Sequence, residues 1–152
     1  MTESMSTNGY LSGSNLERVL RAGHFAVTGE LGPPQSADGE VIRKKAVLLR
    51  GCVDAVNITD NQTAVVRMAS WAASLLLIQE GLEPNFQMVC RDRNRIALEN
   101  DLLGLGALGV TSLLLTRGEE LPAGYKPPTR QVLELSGVYM NQPPSGATPR
   151  IS

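Results

Sequence analysis

The stretch Phe25-Ala-Val-Thr-Gly-Glu-Leu-Gly-Pro-Pro34 decides how the chain reads. Phe25–Thr28 predicts a short apolar strand. The strand breaks at Gly29, leaves one carboxylate at Glu30 and stops at Gly32-Pro33-Pro34, residues that punctuate rather than extend regular structure. The same unit recurs. Val53–Ile58 runs into Thr59-Asp60-Asn61-Gln62, Phe86–Cys90 into Arg91-Asp92-Arg93-Asn94-Arg95, and Ser112–Thr116 into Arg117-Gly118-Glu119. From Phe25 to Ser112 the three intervals average about 29 residues, each spanned by a helical pattern. That rhythm predicts an α/β fold of repeated βα units with right-handed crossovers and a parallel sheet. The strands are nearly continuous apolar runs, as expected of a sheet covered on both faces.

The helices announce themselves by caps and stops. Ser14-Asn-Leu-Glu17 is a capping box, and its helix ends at Gly23. A second helix follows Ser36, with Val41, Ala46, Val47 and Leu49 as its apolar face, and stops at Gly51. A long third helix is predicted from Thr63 to Gln79 with Val66, Ala69, Ala73, Leu76 and Leu77 inward, and Met68 and Trp71 read as core. A fourth carries Ile96, Leu98, Leu102, Leu103 and Ala107 to Gly109. The organisation expected is a flexible N-terminus over 1–13, the βα units over 14–121 and an irregular, Pro-rich tail over 122–152, in which Val132–Leu135 reads as a short strand or a helix start.

Composition narrows the function. With 14 basic and 15 acidic side chains, the charge gives no basis for nucleic acid or an anionic membrane as partner. One histidine, His24, and two unclustered cysteines, Cys52 and Cys90, supply no metal-ligand spacing. The amino terminus lacks a signal-peptide pattern and the longest apolar run is too short for a bilayer, so a cytoplasmic protein is expected.

In parallel βα folds, functional groups gather at the carboxyl ends of the strands. Here every such end is polar, while the opposite ends are plain connectors around Gly23, Gly51, Pro84 and Gly109. Asp60 and Asp92 have two readings, as site carboxylates or as helix caps. Arg91, Arg93 and Arg95 are a solvated corner, local ion pairs or ligand contacts. Glu30 is the hardest to explain as mere surface. A carboxyl partly buried at a strand end keeps its proton near neutrality and can serve as an acid.

Several of these stretches together resemble methylenetetrahydrofolate reductase: Thr28–Pro34, Val56-Asn-Ile-Thr-Asp-Asn-Gln-Thr63, Gln87-Met-Val-Cys-Arg-Asp-Arg-Asn-Arg95, Asp101-Leu-Leu-Gly104, Ala107-Leu-Gly109 and Thr116-Arg-Gly-Glu119. The resemblance runs from Leu16 to Glu119. It implies a (β/α)8 TIM barrel with FAD at the carboxyl ends of the strands. It further implies reduction of 5,10-methylenetetrahydrofolate to 5-methyltetrahydrofolate in one-carbon metabolism, with NAD(P)H or another reduced carrier as donor. On it, Glu30 is the catalytic acid. Thr59, Asp60, Gln87, Arg117, Gly118 and Glu119 are cofactor-binding positions, and Glu30, Gln87 and Glu119 also meet the substrate. Gln87 stands where many members have His, and Glu119 where the usual residue is Asp. The four βα units correspond to the first half of such a barrel, in a truncated chain or one that pairs with a second copy or a partner subunit. Two other readings stand beside the enzyme: a non-catalytic half-barrel needing a partner chain, and a flavodoxin-like sheet binding another small ligand.

Overall fold

A computed structural model describes residues 12–124, 129–132 and 134. The first eleven residues and most of the Pro-rich tail, including Leu133 and Leu135 of the Val132–Leu135 stretch, lie outside the described residues.

Eight elements alternate: α1 (Asn15–Arg21), β1 (Thr28–Leu31), α2 (Glu40–Leu49), β2 (Ala55–Ile58), α3 (Ser70–Gln79), β3 (Pro84–Val89), α4 (Arg95–Ala107) and β4 (Ser112–Thr116). The strands form one parallel sheet in the order β1-β2-β3-β4. An order that never reverses has no switch point, which excludes the flavodoxin-like arrangement. Right-handed crossovers in this order put the crossover helices α2, α3 and α4 on one face, as in the first half of a TIM barrel.

Register separates the two faces. Leu31, Ile58 and Phe86 stand in one row and Met88 faces Leu115. All point toward the helices and, except for Leu115, are fully buried. They pack with Ile42 and Ala46 of α2, Ala73 and Leu77 of α3, and Leu98 and Leu105 of α4. The opposite row, Glu30–Asn57–Asn85, with Gln87 and Thr116 farther along, lies on the inner face. There Asn85 Nδ2 donates to Asn57 Oδ1 at 2.8 Å. Among the described residues nothing covers that face, so the expectation of two covered faces fails.

The first strand lies three residues later than its apolar pattern suggests, and Phe25 is exposed. Asp54 sets the start: its N–H donates to Val27 O at 2.7 Å and its Oδ2 accepts from Val27 N–H at 2.8 Å. Gly29 sits inside the strand rather than breaking it. A Cβ there would stand 3.0 Å from Leu49 Cδ2, so the missing side chain lets α2 close on β1.

The third helix is shorter than expected. Asn61, Thr63 and Ala64 have positive φ, and Gln62–Ala64 forms only a 3-10 turn. The segment is drawn to the Gly-Pro-Pro loop, because Met68 N–H donates to Pro34 O and Arg67 Nη1 to Pro33 O. Val66 is therefore exposed, and Trp71 is 41% exposed rather than core. On α2 the buried residues are Ile42 and Ala46, whereas Val47 is exposed.

Half of the amino-terminal capping box forms as read: Ser14 Oγ accepts from Glu17 N–H at 3.0 Å, but Glu17 Oε2 accepts from Ser12 N–H at 2.9 Å, while Ser14 N–H donates to Ser12 Oγ at 3.2 Å. The first N–H groups of α1 are taken by Glu83, from Leu16 N at 3.0 Å and Asn15 N at 2.5 Å, which ties α1 across the amino ends of the strands. Among the described residues, no helix is long and apolar enough to cross a membrane.

Candidate functional site

β2, β3 and β4 run into polar turns and β1 into Gly32-Pro33-Pro34, and the sequential order brings the four strand ends into one arc. A cleft of about 360 Å³ opens there. Its walls are Glu30, Thr59, Asp60, Gln87, Gly118 and Glu119, joined by Gln62, Val89 and Thr116. Of the seven residues expected from sequence, six line it. The exception is Arg117, which is exposed and turns away while its carbonyl accepts from Arg91 N–H at 3.1 Å. A second cleft, about 410 Å³, lies at the opposite end between α1 and the strand starts, lined by residues such as Leu16, Leu20, Asn85 and Ser112.

Glu30 is the next-to-last residue of β1, opposite Asn57, and its side chain is exposed on the inner face, so the expectation of a partly buried carboxyl fails. Gln87 projects from β3 on the same face, in register with Leu114. Thr59, directly after β2, is buried, and its Oγ1 has no hydrogen-bond partner among the described residues. An orphaned buried hydroxyl at a cleft wall is costly unless a ligand or water completes it.

Asp60 and Asp92 do not cap helices; the cap of α4 is Asn94, whose side chain accepts from Ala97 N–H. Asp60, its side chain 1% exposed, accepts from Val89 N–H at 2.9 Å and from Arg93 Nη1 at 2.6 Å. Arg93 reaches on to Asp101 at 3.1 Å. Asp60 thus lines the cleft while its carboxylate is spent on holding the ends of β2 and β3 together. Arg91, equally buried, grips Asp92 with two hydrogen bonds, at 2.7 and 2.9 Å. Burial pushes the Asp92 carboxyl up. Hydrogen bonds from Arg91 and Asn61, with the charges of Arg91 and Arg93, outweigh that and hold it below the usual carboxylate range. Arg91 is therefore a buried ion-pair residue and Arg93 a half-buried one, while Arg95 is an exposed partner of Glu99. Burial raises the Cys90 thiol, against the charge of Arg93, so Cys90 stays a neutral core residue.

Gly118 is held at φ +85°, and a Cβ there would come within 2.4 Å of Val89 Cγ1. The cleft wall at this point is therefore bare backbone. Beside the Gln87 amide this bare wall leaves room for a flat ring with polar edges, such as an isoalloxazine or a pterin. Among the described residues, no group of three or more His, Cys, Asp or Glu side chains is placed to hold a metal ion.

The sequence profile of the family described as methylenetetrahydrofolate reductase matches residues 15–136, most of the chain. The chain belongs to the methylenetetrahydrofolate reductase family. Members of that family are TIM barrels, generally flavin-dependent, and the sheet order and strand-end cleft agree with such a barrel. A search of curated proteins found no match. Gln62 and Thr116 lie in the polar strand-end stretches but, like Val89, were given no site role by sequence. Thr116 and Val89 follow from register alone, as an opposed pair at the ends of β4 and β3. Gln62 enters only through the left-handed turn at Asn61 and Thr63, which no pattern in the sequence announces.

Proposed function

We propose that this chain is a flavin-dependent reductase that converts 5,10-methylenetetrahydrofolate to 5-methyltetrahydrofolate at the carboxyl-end cleft. The observation that carries the proposal is the convergence of Glu30, Thr59, Gln87, Gly118 and Glu119 on one cleft of about 360 Å³. FAD, when bound, supplies hydride chemistry between a reduced carrier such as NAD(P)H and the folate.

The chain's own residues divide the remaining work. Glu30 stands on the inner face with its carboxyl free to reach a bound pterin. It donates a proton to the folate nitrogen at the methylene bridge, which opens the bridge to a reactive iminium. Gln87 offers an amide to ring nitrogens and oxygens. Gly118 leaves room for the ring plane. Glu119, its side chain 57% exposed, places a carboxylate beside the ring or the pterin. Asp60 supports the wall rather than touching ligand, and Arg117 reaches the cofactor only from the rim. A cytosolic setting, where folates and nicotinamide carriers meet, accords with two free cysteines.

A second reading is favoured by the uncovered inner face: a half-barrel subunit completed by a second copy or a partner chain. In that case the same residues form one side of a shared site.

Glu30→Gln tests the role of the acid. In rapid mixing, reduction of bound flavin by NADH should stay within about threefold of wild type, while oxidation by methylenetetrahydrofolate falls at least about a hundredfold, the scale of general-acid catalysis. Equal loss in both half-reactions would remove Glu30 from that role.

A further inference from the structure

We infer that Arg91 is the positioning residue that sets the Gly118–Glu119 wall of the cleft and, through it, the place of the Glu119 carboxylate. What that wall contacts rests on the folate and flavin reading above; the positioning itself does not.

Residues 117–119 lie beyond the last paired row of the sheet, Val89 with Thr116. Sheet hydrogen bonding does not hold them. Arg91 does, from both sides of Gly118. Its backbone N–H donates to Arg117 O at 3.1 Å, and its Nη1 donates to Glu119 O at 2.8 Å. The same Nη1 stands 3.5 Å from Glu119 Oε2. Gly118 is pressed against its neighbours here, since a Cβ would also stand 3.3 Å from Arg91 Cβ.

The guanidinium has little freedom. It is 3% exposed, and Asp92 fixes its plane through Nε and Nη2. Nη2 also donates to Asn61 O at 3.3 Å, at the left-handed residue after β2, and Asn61 Nδ2 donates back to Asp92 Oδ2 at 3.2 Å. One cation thus joins the ends of β2, β3 and β4. A planar fork with five donors can serve these acceptors together, whereas an ammonium cannot. The one acceptor in the set that remains half in solvent is the Glu119 carboxylate, which is the group a ligand in the cleft would meet.

The experiment compares Arg91→Met and Arg91→Lys in the full chain. Amide hydrogen exchange is followed by mass spectrometry. FAD affinity is followed by flavin fluorescence, alone and combined with Glu119→Gln. In Arg91→Met, exchange of the residue-91 amide, which donates to Arg117 O, should rise at least about tenfold as the 117–119 segment loosens, while Phe86–Met88 stay protected. Arg91→Lys should recover little of this. Each single variant, Arg91→Met or Glu119→Gln, should weaken FAD binding about tenfold, and the pair no more than the worse single, because one residue acts through the other. Unchanged exchange of the residue-91 amide, an equal rise across the sheet core, or additive losses of FAD affinity would overturn the inference. A wild-type chain that binds no FAD would sink the functional reading instead. The exchange pattern would then decide Arg91 by itself, a local rise upholding it and no local rise overturning it.

Discussion

Asp60 shows why a polar strand end is not automatically a catalytic one. It lies on the cleft wall, yet its carboxylate is engaged by Val89 N–H and Arg93. Asp60→Ala would leave a half-buried guanidinium and a backbone donor short of a partner. We expect a loss of about 3 kcal/mol in urea denaturation, the scale of breaking a buried pair, with Arg93 leaning further on Asp101. Asp92 makes a prediction in pH. Its folded-state carboxyl lies below the unfolded value near pH 4. Its contribution to stability is therefore present above about pH 4 and lost as pH falls below that, toward the lowered folded value. Asp92→Asn should be less stable than wild type at neutral pH, and the gap should narrow in denaturation curves taken between pH 4 and pH 2. A gap that stays constant would contradict the Arg91–Asp92 pairing as the source. Gly118→Ala meets both a positive φ and Val89 Cγ1 at 2.4 Å. It should cost at least about 2 kcal/mol and close part of the cleft.

At the scale of elements, the close packing of α2 on β1 depends on Gly29. Its Cβ position lies 3.0 Å from Leu49 Cδ2 and 3.3 Å from Val53 Cγ1. Gly29→Ala should destabilise by about 1–3 kcal/mol, since the neighbours must shift in a packed layer. Circular dichroism melts would detect it, and an unchanged melting temperature would mean that α2 does not close on β1 as described. The elements also show what sequence could and could not carry. Ser112–Thr116 and the cap at Ser14 were legible because local spacing alone determines them, whereas the cap of α4 falls on Asn94 and not on Asp92. The start of β1 was not, because Asp54, far along the chain, fixes it through Val27. The start of α3 was not, because the contacts of residues 67 and 68 with the Gly-Pro-Pro loop override the apolar spacing of Val66.

For the whole molecule, the interval of about 29 residues made the parallel barrel-like order legible, and the polar strand ends made the cleft legible, six of seven expected residues lying on it. What sequence alone misjudged is exposure. Ile96 and Leu103 of α4 and Val47 of α2 carry helical apolar spacing yet are exposed, and Leu113 and Leu114 of the edge strand β4 are partly so. Open parallel edges and uncovered apolar flanks favour association. The chain by itself should therefore grow in apparent size with concentration in light scattering, and Leu113→Lys should reduce that growth. A monodisperse monomer at high concentration would contradict this.

The central claim is that the strand-end cleft holds a flavin that serves folate reduction. The most direct test is the absorbance of the purified chain between about 350 and 500 nm after incubation with FAD and removal of unbound dye. The expected result is a retained flavin spectrum that NADH bleaches and methylenetetrahydrofolate restores. A colourless protein, or a bound flavin that methylenetetrahydrofolate fails to reoxidise, would contradict it.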